Sequence, residues 1–253
     1  MRVDRLSKMK DYISTHGTVS MEKLCEVFDV SINTVRRDIQ NLQNSGDVKK
    51  VYGGVMARNE RTLKYYNDRA SSNIEAKEAI GKYAATLVVD NDIIYIDSGS
   101  TTCEVLPHIS AKNVTVFTSS ISAIDRSLSK DNLTIVMLPG KYSKMTNSVT
   151  GHDATDYLSQ FNINKAFMSA SGFDPIKGAT HASLEEASTK KSALVQADTA
   201  YLLVDSSKLG VTTLINYAEP QKFECVITDH LPSEKIRKEF SNSKTKVICV
   251  DAK

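Results

Sequence analysis

The stretch Val30-Ser31-Ile32-Asn33-Thr34-Val35-Arg36-Arg37-Asp38-Ile39-Gln40-Asn41-Leu42 decides how the amino-terminal part of the chain is read. Ser31 is placed to cap a helix. Val35, Ile39 and Leu42 then follow at the spacing of a single buried stripe. Asn33, Arg36, Arg37 and Gln40 repeat that spacing, and at about 100° per residue the two stripes are centred on opposite sides. The exposed face therefore holds two guanidiniums and two carboxamides. Arg pairs bidentately with guanine, and Asn or Gln with adenine, in the major groove. Arg also holds phosphates, which leaves the division between base and backbone contacts open. Alone, such a face reads better as an ordinary solvated surface, because Arg and Gln are good helix formers.

The flanking sequence tips the balance. Upstream, Val3, Leu6, Met9 and Ile13 share one helical stripe, ended at His16-Gly17. Ser20 is placed to cap a second helix that buries Leu24, Val27 and Phe28, and Asp29-Val30-Ser31 makes a tight turn into the third. Two short helices before an exposed basic face have helix-turn-helix spacing. Downstream, Asn44-Ser45-Gly46-Asp47 is a turn, and Val48 to Val55 reads as a short basic hairpin whose Lys49 and Lys50 reach phosphates beside the groove. A winged helix-turn-helix DNA-binding domain is expected over residues 1–57.

The run from Val30 to Ile39, with Val51-Tyr52-Gly53-Gly54-Val55, resembles the DNA-binding head of the DeoR family of bacterial regulators. The family's recognition helix reads "VS-x-x-T-[IV]-R-R-D-[LI]" and its wing ends in "GG". Tyr52 stands where the family often has His, and a tyrosine hydroxyl can still donate to a phosphate. With the resemblance, the candidate DNA contacts are Ser31, Asn33, Thr34, Arg36, Arg37, Gln40, Lys49, Lys50 and Tyr52.

Composition agrees with a small basic head on a larger body. Of 253 residues, 41% are hydrophobic, which is enough for a sizeable core. The net charge is +2, but residues 1–64 carry twelve Lys and Arg against eight Asp and Glu, and the remainder twenty against twenty-two. No apolar segment follows the first residues as in a signal peptide, and runs such as Ile93–Ile96 are too short to span a bilayer, so a soluble cytoplasmic protein is expected. The four cysteines and five histidines are scattered without metal-ligand spacing. No metal or cofactor is expected, and reduced structural thiols are the default.

Residues 58–72 are polar and aperiodic and read as a linker. From residue 73 to 253, helical stretches alternate with apolar strand candidates at Ile93–Ile96, Val114–Phe117, Leu133–Leu138, Lys165–Met168, Ala200–Val204, Cys225–Thr228 and Lys246–Val250. This predicts an α/β domain with a largely parallel sheet covered on both faces. Ligands in such sheets bind beyond the carboxyl ends of the strands. Four of those ends carry small hydroxyl residues: Asp97 to Thr102, Thr118-Ser119-Ser120, Ser169 to Gly172, and Asp205 to Lys208. One such loop is usually plain helix capping, whereas four at equivalent positions favour a polar pocket. A phosphate flanked by hydroxyls and Lys208, with Asp97 facing sugar hydroxyls, fits that chemistry; Lys141 and Lys144 could add charge.

The resemblance extends from about Val3 to His230. It implies a sensor domain like the ribose-5-phosphate isomerase and CoA-transferase folds, with a phosphorylated sugar as effector. The family's "D-x-G-T-T-T" falls on Asp97 to Thr102, including Gly99, Thr101 and Thr102, with Ser100 for its first Thr. Its "T-N-S" falls on Thr118-Ser119-Ser120. A "G-G" falls on Pro139-Gly140 beside Lys141, and a Gly before the next helix is Gly151. "E-A-x-x-K" runs from Glu186 to Lys190 and "D-S-S-K" from Asp205 to Lys208. The usual "G-A-D-G" is Ser169-Ala170-Ser171-Gly172, which removes an Asp from the expected pocket. Leu24–Phe28, Asn33–Ile39, Val51–Val55, Tyr95–Gly99 and Asn162–Ala170 are similar to a branch of the family that governs myo-inositol catabolism, which implies a keto-deoxy-gluconate phosphate as effector.

The leading expectation is a homo-oligomeric repressor, dimer or tetramer, whose heads match repeated half-sites on operator DNA and which an inducer releases. An alternative is a sugar-phosphate isomerase-like enzyme with Asp97, Glu186 and Lys208 as acid-base groups. A third is a redox sensor using Cys103, at the amino-terminal end of an expected helix.

Overall fold

The stripe Val35, Ile39 and Leu42 is buried in the core of the first of two units, Met1–Glu60 and Arg61–Lys253, into which the chain divides. The computed structural model describes residues 2–16, 18–44, 47–57, 65–231, 233–243 and 245–251. The first unit runs α1 (Arg2–His16), β1 (Thr18–Val19), α2 (Met21–Phe28), α3 (Ile32–Asn44), β2 (Val48–Val51) and β3 (Gly54–Ala57). Its strands form a three-stranded antiparallel sheet in the order β1-β3-β2.

Local chemistry explains the boundaries. Ser20 Oγ accepts the Lys23 amide at 3.1 Å and Ser31 Oγ that of Thr34 at 3.3 Å, so both expected caps form. Asp29 turns the chain in the left-handed region at φ 49°. Met9, Ile13, Leu24, Val35, Ile39, Val48 and Val55 close the core. Val27, expected to be buried, is 40% exposed, because α2 has only eight residues and turns that side to solvent. Gly17 and the Ser45-Gly46 turn lie outside the described residues. Gly54 is required by packing: a Cβ there would sit 2.2 Å from the Val19 carbonyl oxygen of the neighbouring strand.

The second unit opens with α4 (Tyr66–Ala70) and α5 (Ile74–Ala85). Part of the segment expected as linker, residues 58–72, is thus folded. The Tyr66 ring is buried, and its amide donates to the Met145 carbonyl. Polarity had suggested a linker because α4 is too short to show a period. Residues 58–64 lie outside the described residues.

The expected parallel sheet is present. β4 (Ile93–Ile96), β5 (Val114–Thr118), β6 (Leu133–Met137), β7 (Lys141–Ser143), β8 (Ser148–Thr150), β9 (Ile163–Met168), β10 (Gly172–Asp174), β11 (Gly178–His181), β12 (Ala197–Leu203), β13 (Ile215–Ala218), β14 (Cys225–Thr228) and β15 (Val247–Cys249) follow in chain order. Seven of them form a parallel sheet in the order β15-β14-β12-β9-β4-β5-β6. The helices between them are α6 (Ile121–Ser127), α7 (His152–Leu158), α8 (Leu184–Gln196) and α9 (Glu234–Asn242). The helix expected near Cys103 is a tight 3-10 segment, Thr102–His108, with Pro107 inside it.

Alternation along each strand feeds two cores. Ile94, Ile96, Val114, Val116 and Phe167 pack with Ile80, Ala84, Val105 and Leu106 on one face. Tyr95, Phe117, Ala166, Met168 and Leu202 pack with Leu158, Ala187, Ile236 and Phe240 on the other. A side sheet, β10-β11-β13, and the hairpin β7-β8 were not expected. They are strands of three or four residues whose pairing depends on distant segments, such as Thr180 beside Asn216.

Candidate functional site

On α3, Asn33, Arg36, Arg37 and Gln40 are exposed, while Val35, Asp38, Ile39 and Leu42 are buried. Asp38 is the residue the periodicity left out. Its carboxylate faces inward and accepts from Arg5 Nε of α1 at 2.8 Å. Arg5, Asn33, Thr34, Arg37 and Asp38 line one concavity on this surface. Ser31 commits its hydroxyl to the helix cap and to Thr34 Oγ1, 3.0 Å away. Gln40 donates from Nε2 to Asn44 at 3.0 Å, which holds its amide along the helix.

In the wing, Lys49 pairs with Met56 and Lys50 with Val55, so the two lysines are exposed on opposite faces of the strand rather than side by side. Tyr52 stands fully exposed at the hairpin tip.

In the larger unit the strand order reverses beside β4: the chain adds β5 and β6 on one side, then crosses to β9 on the other. That reversal opens a crevice at the carboxyl ends of β4 and β9. Asp97 follows β4 and Ser169 follows β9. A Cβ at Gly99 would lie 2.3 Å from Ser169 Cβ, so glycine is what lets the two loops cross.

Asp97, expected to face sugar hydroxyls, engages its carboxylate with partners inside the protein. It is buried, and its Oδ1 accepts the Ser98 amide at 2.9 Å. Its Oδ2 accepts the Ser169 amide at 2.8 Å, Ser169 Oγ at 2.6 Å, and the Lys190 ammonium. Burial pushes the carboxyl pKa up, but the Lys190 charge and the Ser169 donors outweigh it, so the group titrates below the usual carboxylate range.

Lys190 and Glu186 lie one turn apart on the inner face of α8. Glu186 accepts Ser98 Oγ at 2.7 Å and Ser148 Oγ at 2.8 Å on Oε1. Its Oε2 lies 3.2 Å from His181 Nε2. The Ser183 amide donates to His181 Nδ1 at 3.1 Å, which places the ring proton on Nε2, facing Glu186. Burial and the Lys190 charge lower the His181 pKa to about 4. Tyr217 closes the network by donating to the Ser169 carbonyl at 2.7 Å. His181, Ser148 and Tyr217 were missed by sequence reasoning; each comes from a short element with no periodic signal.

Several of the expected ligand residues make hydrogen bonds within the protein. Thr102 Oγ1 donates to the carbonyls of Asp97 at 2.7 Å and Gly99 at 2.9 Å. Thr118 donates to the Ile96 carbonyl, and Ser120 caps α6 by accepting the Ala123 amide. Asp205 accepts from Asn73 at 3.0 Å and from Ser207. Gly172 is closed in by the Val211 backbone, and Gly140 by the Thr150 carbonyl. Gly151 borders open space before α7, Lys141 is exposed on β7, and Ser119 is buried. Ser171 is half-buried and donates its amide to the Thr180 carbonyl.

By contrast, Ser100 and Thr101 make no side-chain hydrogen bond among the described residues. The backbone amides of Gly99, Ser100 and Thr101 likewise donate to no carbonyl among them. Adjacent unspent donors at a strand end form a cradle for an anion. Lys77 lies on α5 near Asp205 and Lys208, and burial lowers its pKa to about 8.

Cys103, the redox candidate, is fully buried beside Ser120 Oγ at 3.3 Å. Burial raises its thiol pKa, the opposite of the activation a redox role needs. Among the described residues no group of His, Cys, Asp and Glu is arranged to hold a metal, and no helix is long and apolar enough to cross a membrane.

The architecture is that of a two-part regulator, with a helix-turn-helix head and an α/β sensor. A DeoR-like helix-turn-helix domain matches residues 5–61, and a DeoR C-terminal sensor domain matches residues 72–230. The chain belongs to the DeoR family of transcriptional regulators. It is 40% identical to the HTH-type transcriptional regulator IolR of Bacillus subtilis (strain 168), over 90% of this chain and 91% of that one. It is 30% identical to the HTH-type transcriptional repressor GlcR of the same organism, over 91% of this chain and 90% of that one. Among solved structures it is similar to a D-ribose-5-phosphate isomerase in complex with phospho-erythronic acid, at TM-score 0.40 and 20% identity, covering 53% of this chain and 52% of that one.

Proposed function

We propose that this regulator represses a sugar or polyol catabolic operon and is released from its operator by a phosphorylated sugar. The observation that carries the DNA half is the exposed face of Asn33, Arg36, Arg37 and Gln40, backed by a fully buried stripe that makes α3 a rigid reading head. Lys49, Lys50 and Tyr52 extend the contact to phosphates. A homo-oligomer, dimer or tetramer, presents heads to repeated half-sites, and the protein works in the cytoplasm, where operator DNA is.

The effector half is supported by the unspent amides of residues 99–101 and the hydroxyls of Ser100 and Thr101 at the reversal of strand order. Lys208, Lys141 and Gly151 belong to the same reading. Stretches shared with the inositol branch favour a keto-deoxy-gluconate phosphate as effector. The regulator names of relatives and the saturation of Asp97 and Glu186 by internal donors speak for binding without turnover: no carboxylate of that network is left as a base.

A gel-shift titration on the DNA upstream of the gene tests this, with and without a panel of sugar phosphates. A salt-sensitive shift released by one compound is the expected result. Turnover of any compound in the panel, or no specific shift, would overturn the reading.

A further inference from the structure

Arg69 on α4 has a feature that the site so far leaves unused. Its Nε and Nη2 are both shut off from solvent and have no hydrogen-bond partner among the described residues. These two nitrogens share one edge of the guanidinium, and their N–H bonds run parallel. That edge is the one that takes two oxygens of a single phosphate or carboxylate. A buried donor without an acceptor is costly, and more so when charged, so the fold sustains this arrangement at a loss unless something fills it.

The surroundings hold the fork in place. The Tyr66 ring lies 5.4 Å from the guanidinium carbon. Lys77 donates to the carbonyls of Arg69 and Ser72, which ties the carboxyl end of α4 to α5. The α4–α5 connection also meets the sensor's strand ends, where Asn73 donates to Asp205 at 3.0 Å, and the Arg69 charge contributes to lowering the pKa values of Lys77 and His181. The carboxylates nearby have other donors: Asp205 takes Asn73 and Ser207, and Glu186 takes Ser98, Ser148 and His181.

We propose that Arg69 grips an oxyanion of the effector through its Nε–Nη2 edge, and so makes α4 the element that reports occupancy of the sensor. The inference rests on the reading of this unit as an effector-binding domain. It adds the ligand-holding residue and the route of the signal. α4 is the first element of the sensor among the described residues, so an anion held by Arg69 holds the helix that follows the connection from the head. A phosphate ester and a sugar-acid carboxylate both present the required pair of oxygens.

The test uses the full-length protein, with inorganic phosphate and acetate as separate probes, read by calorimetry and by hydrogen exchange of the amides of residues 66–72. Wild type is expected to bind phosphate saturably and to protect those amides. Arg69→Gln and Arg69→Lys are each expected to weaken binding at least tenfold and to abolish the protection; the lysine keeps the charge but lacks the fork. Unliganded Arg69→Gln is expected to melt no lower than wild type, because an unpaired buried charge has been removed, whereas a purely structural arginine would lower the melting point. Saturation by acetate but not phosphate would support the carboxylate as the group held. Wild-type affinity and protection in both variants would overturn the role of Arg69 while leaving a phosphate site standing. No saturable binding of either probe to wild type would overturn the effector reading, and this inference with it.

Discussion

Arg5 of α1 places its Nε 2.8 Å from Asp38 Oδ2 of α3, joining the first helix to the inner edge of the helix that carries Arg36 and Arg37. Asp38 is almost fully buried and Arg5 about a third exposed, so the pair is desolvated on one side only. Removing Asp38 frees α3 to shift and leaves Arg5 unpaired. Asp38→Ala is expected to destabilise the head by about 2 kcal/mol and to weaken operator binding as well. Chemical denaturation and a gel shift on one preparation check both effects; wild-type values in both would remove the coupling.

Arg37 differs from Asp38 in being exposed, so its loss should leave stability alone. Arg37→Ala is expected to reduce operator affinity by roughly 10- to 100-fold, the value of one good base or phosphate contact, with an unchanged melting temperature. Val35→Ala, in the buried stripe beside it, is expected to cost about 2 kcal/mol of stability. The two variants thus separate reading from packing.

The Asp97–Lys190 pair lies wholly inside the sensor. Lys190→Met would strand the carboxylate and is expected to cost about 3–5 kcal/mol. Adding Asp97→Asn should recover a large part, because the partner no longer needs a counter-charge. Urea titrations of the single and double variants decide it, and a double variant as unstable as the sum of the singles would contradict the pairing.

His181, with its pKa lowered to about 4, makes a signed pH prediction. Above about pH 6.5 the ring is neutral in both folded and unfolded chains, and the stability it allows is fully present. As pH falls, the unfolded chain takes up a proton that the buried ring refuses. Stability is therefore lost between about pH 6.5 and 4, by up to about 3 kcal/mol. His181→Gln is expected to flatten that part of the profile, as read from melting temperature against pH. A profile unchanged by the substitution would place the acid sensitivity elsewhere.

Burial and a raised pKa make Cys103 inert, whereas Cys249 is exposed. A maleimide is expected to label Cys249 in the native protein and to reach Cys103 only after unfolding. Rapid native labelling of Cys103 would revive an oxidant-sensing role.

Much of this molecule is written in short-range pattern. The stripes of α3, the caps Ser20 and Ser31, and the apolar runs of the seven parallel strands depend on residues within a few positions of one another, and period and capping chemistry make them readable in one dimension. The hydroxyl-rich strand ends were legible for the same reason. What each of those hydroxyls does was decided by tertiary structure. Asp97 meets Ser169 and Lys190 only because the strand order reverses between β4 and β9. Thr102, Thr118 and Ser120 turned inward to satisfy the backbone, while Ser100 and Thr101 did not. His181 and Tyr217 joined the buried network from the middle and edge strands of the side sheet, and Arg69, the residue proposed to hold an anion, lies in a segment whose composition suggested a linker. Their placement comes from burial and tertiary packing, as where Tyr217 meets the carbonyl of Ser169, and no local period encodes it.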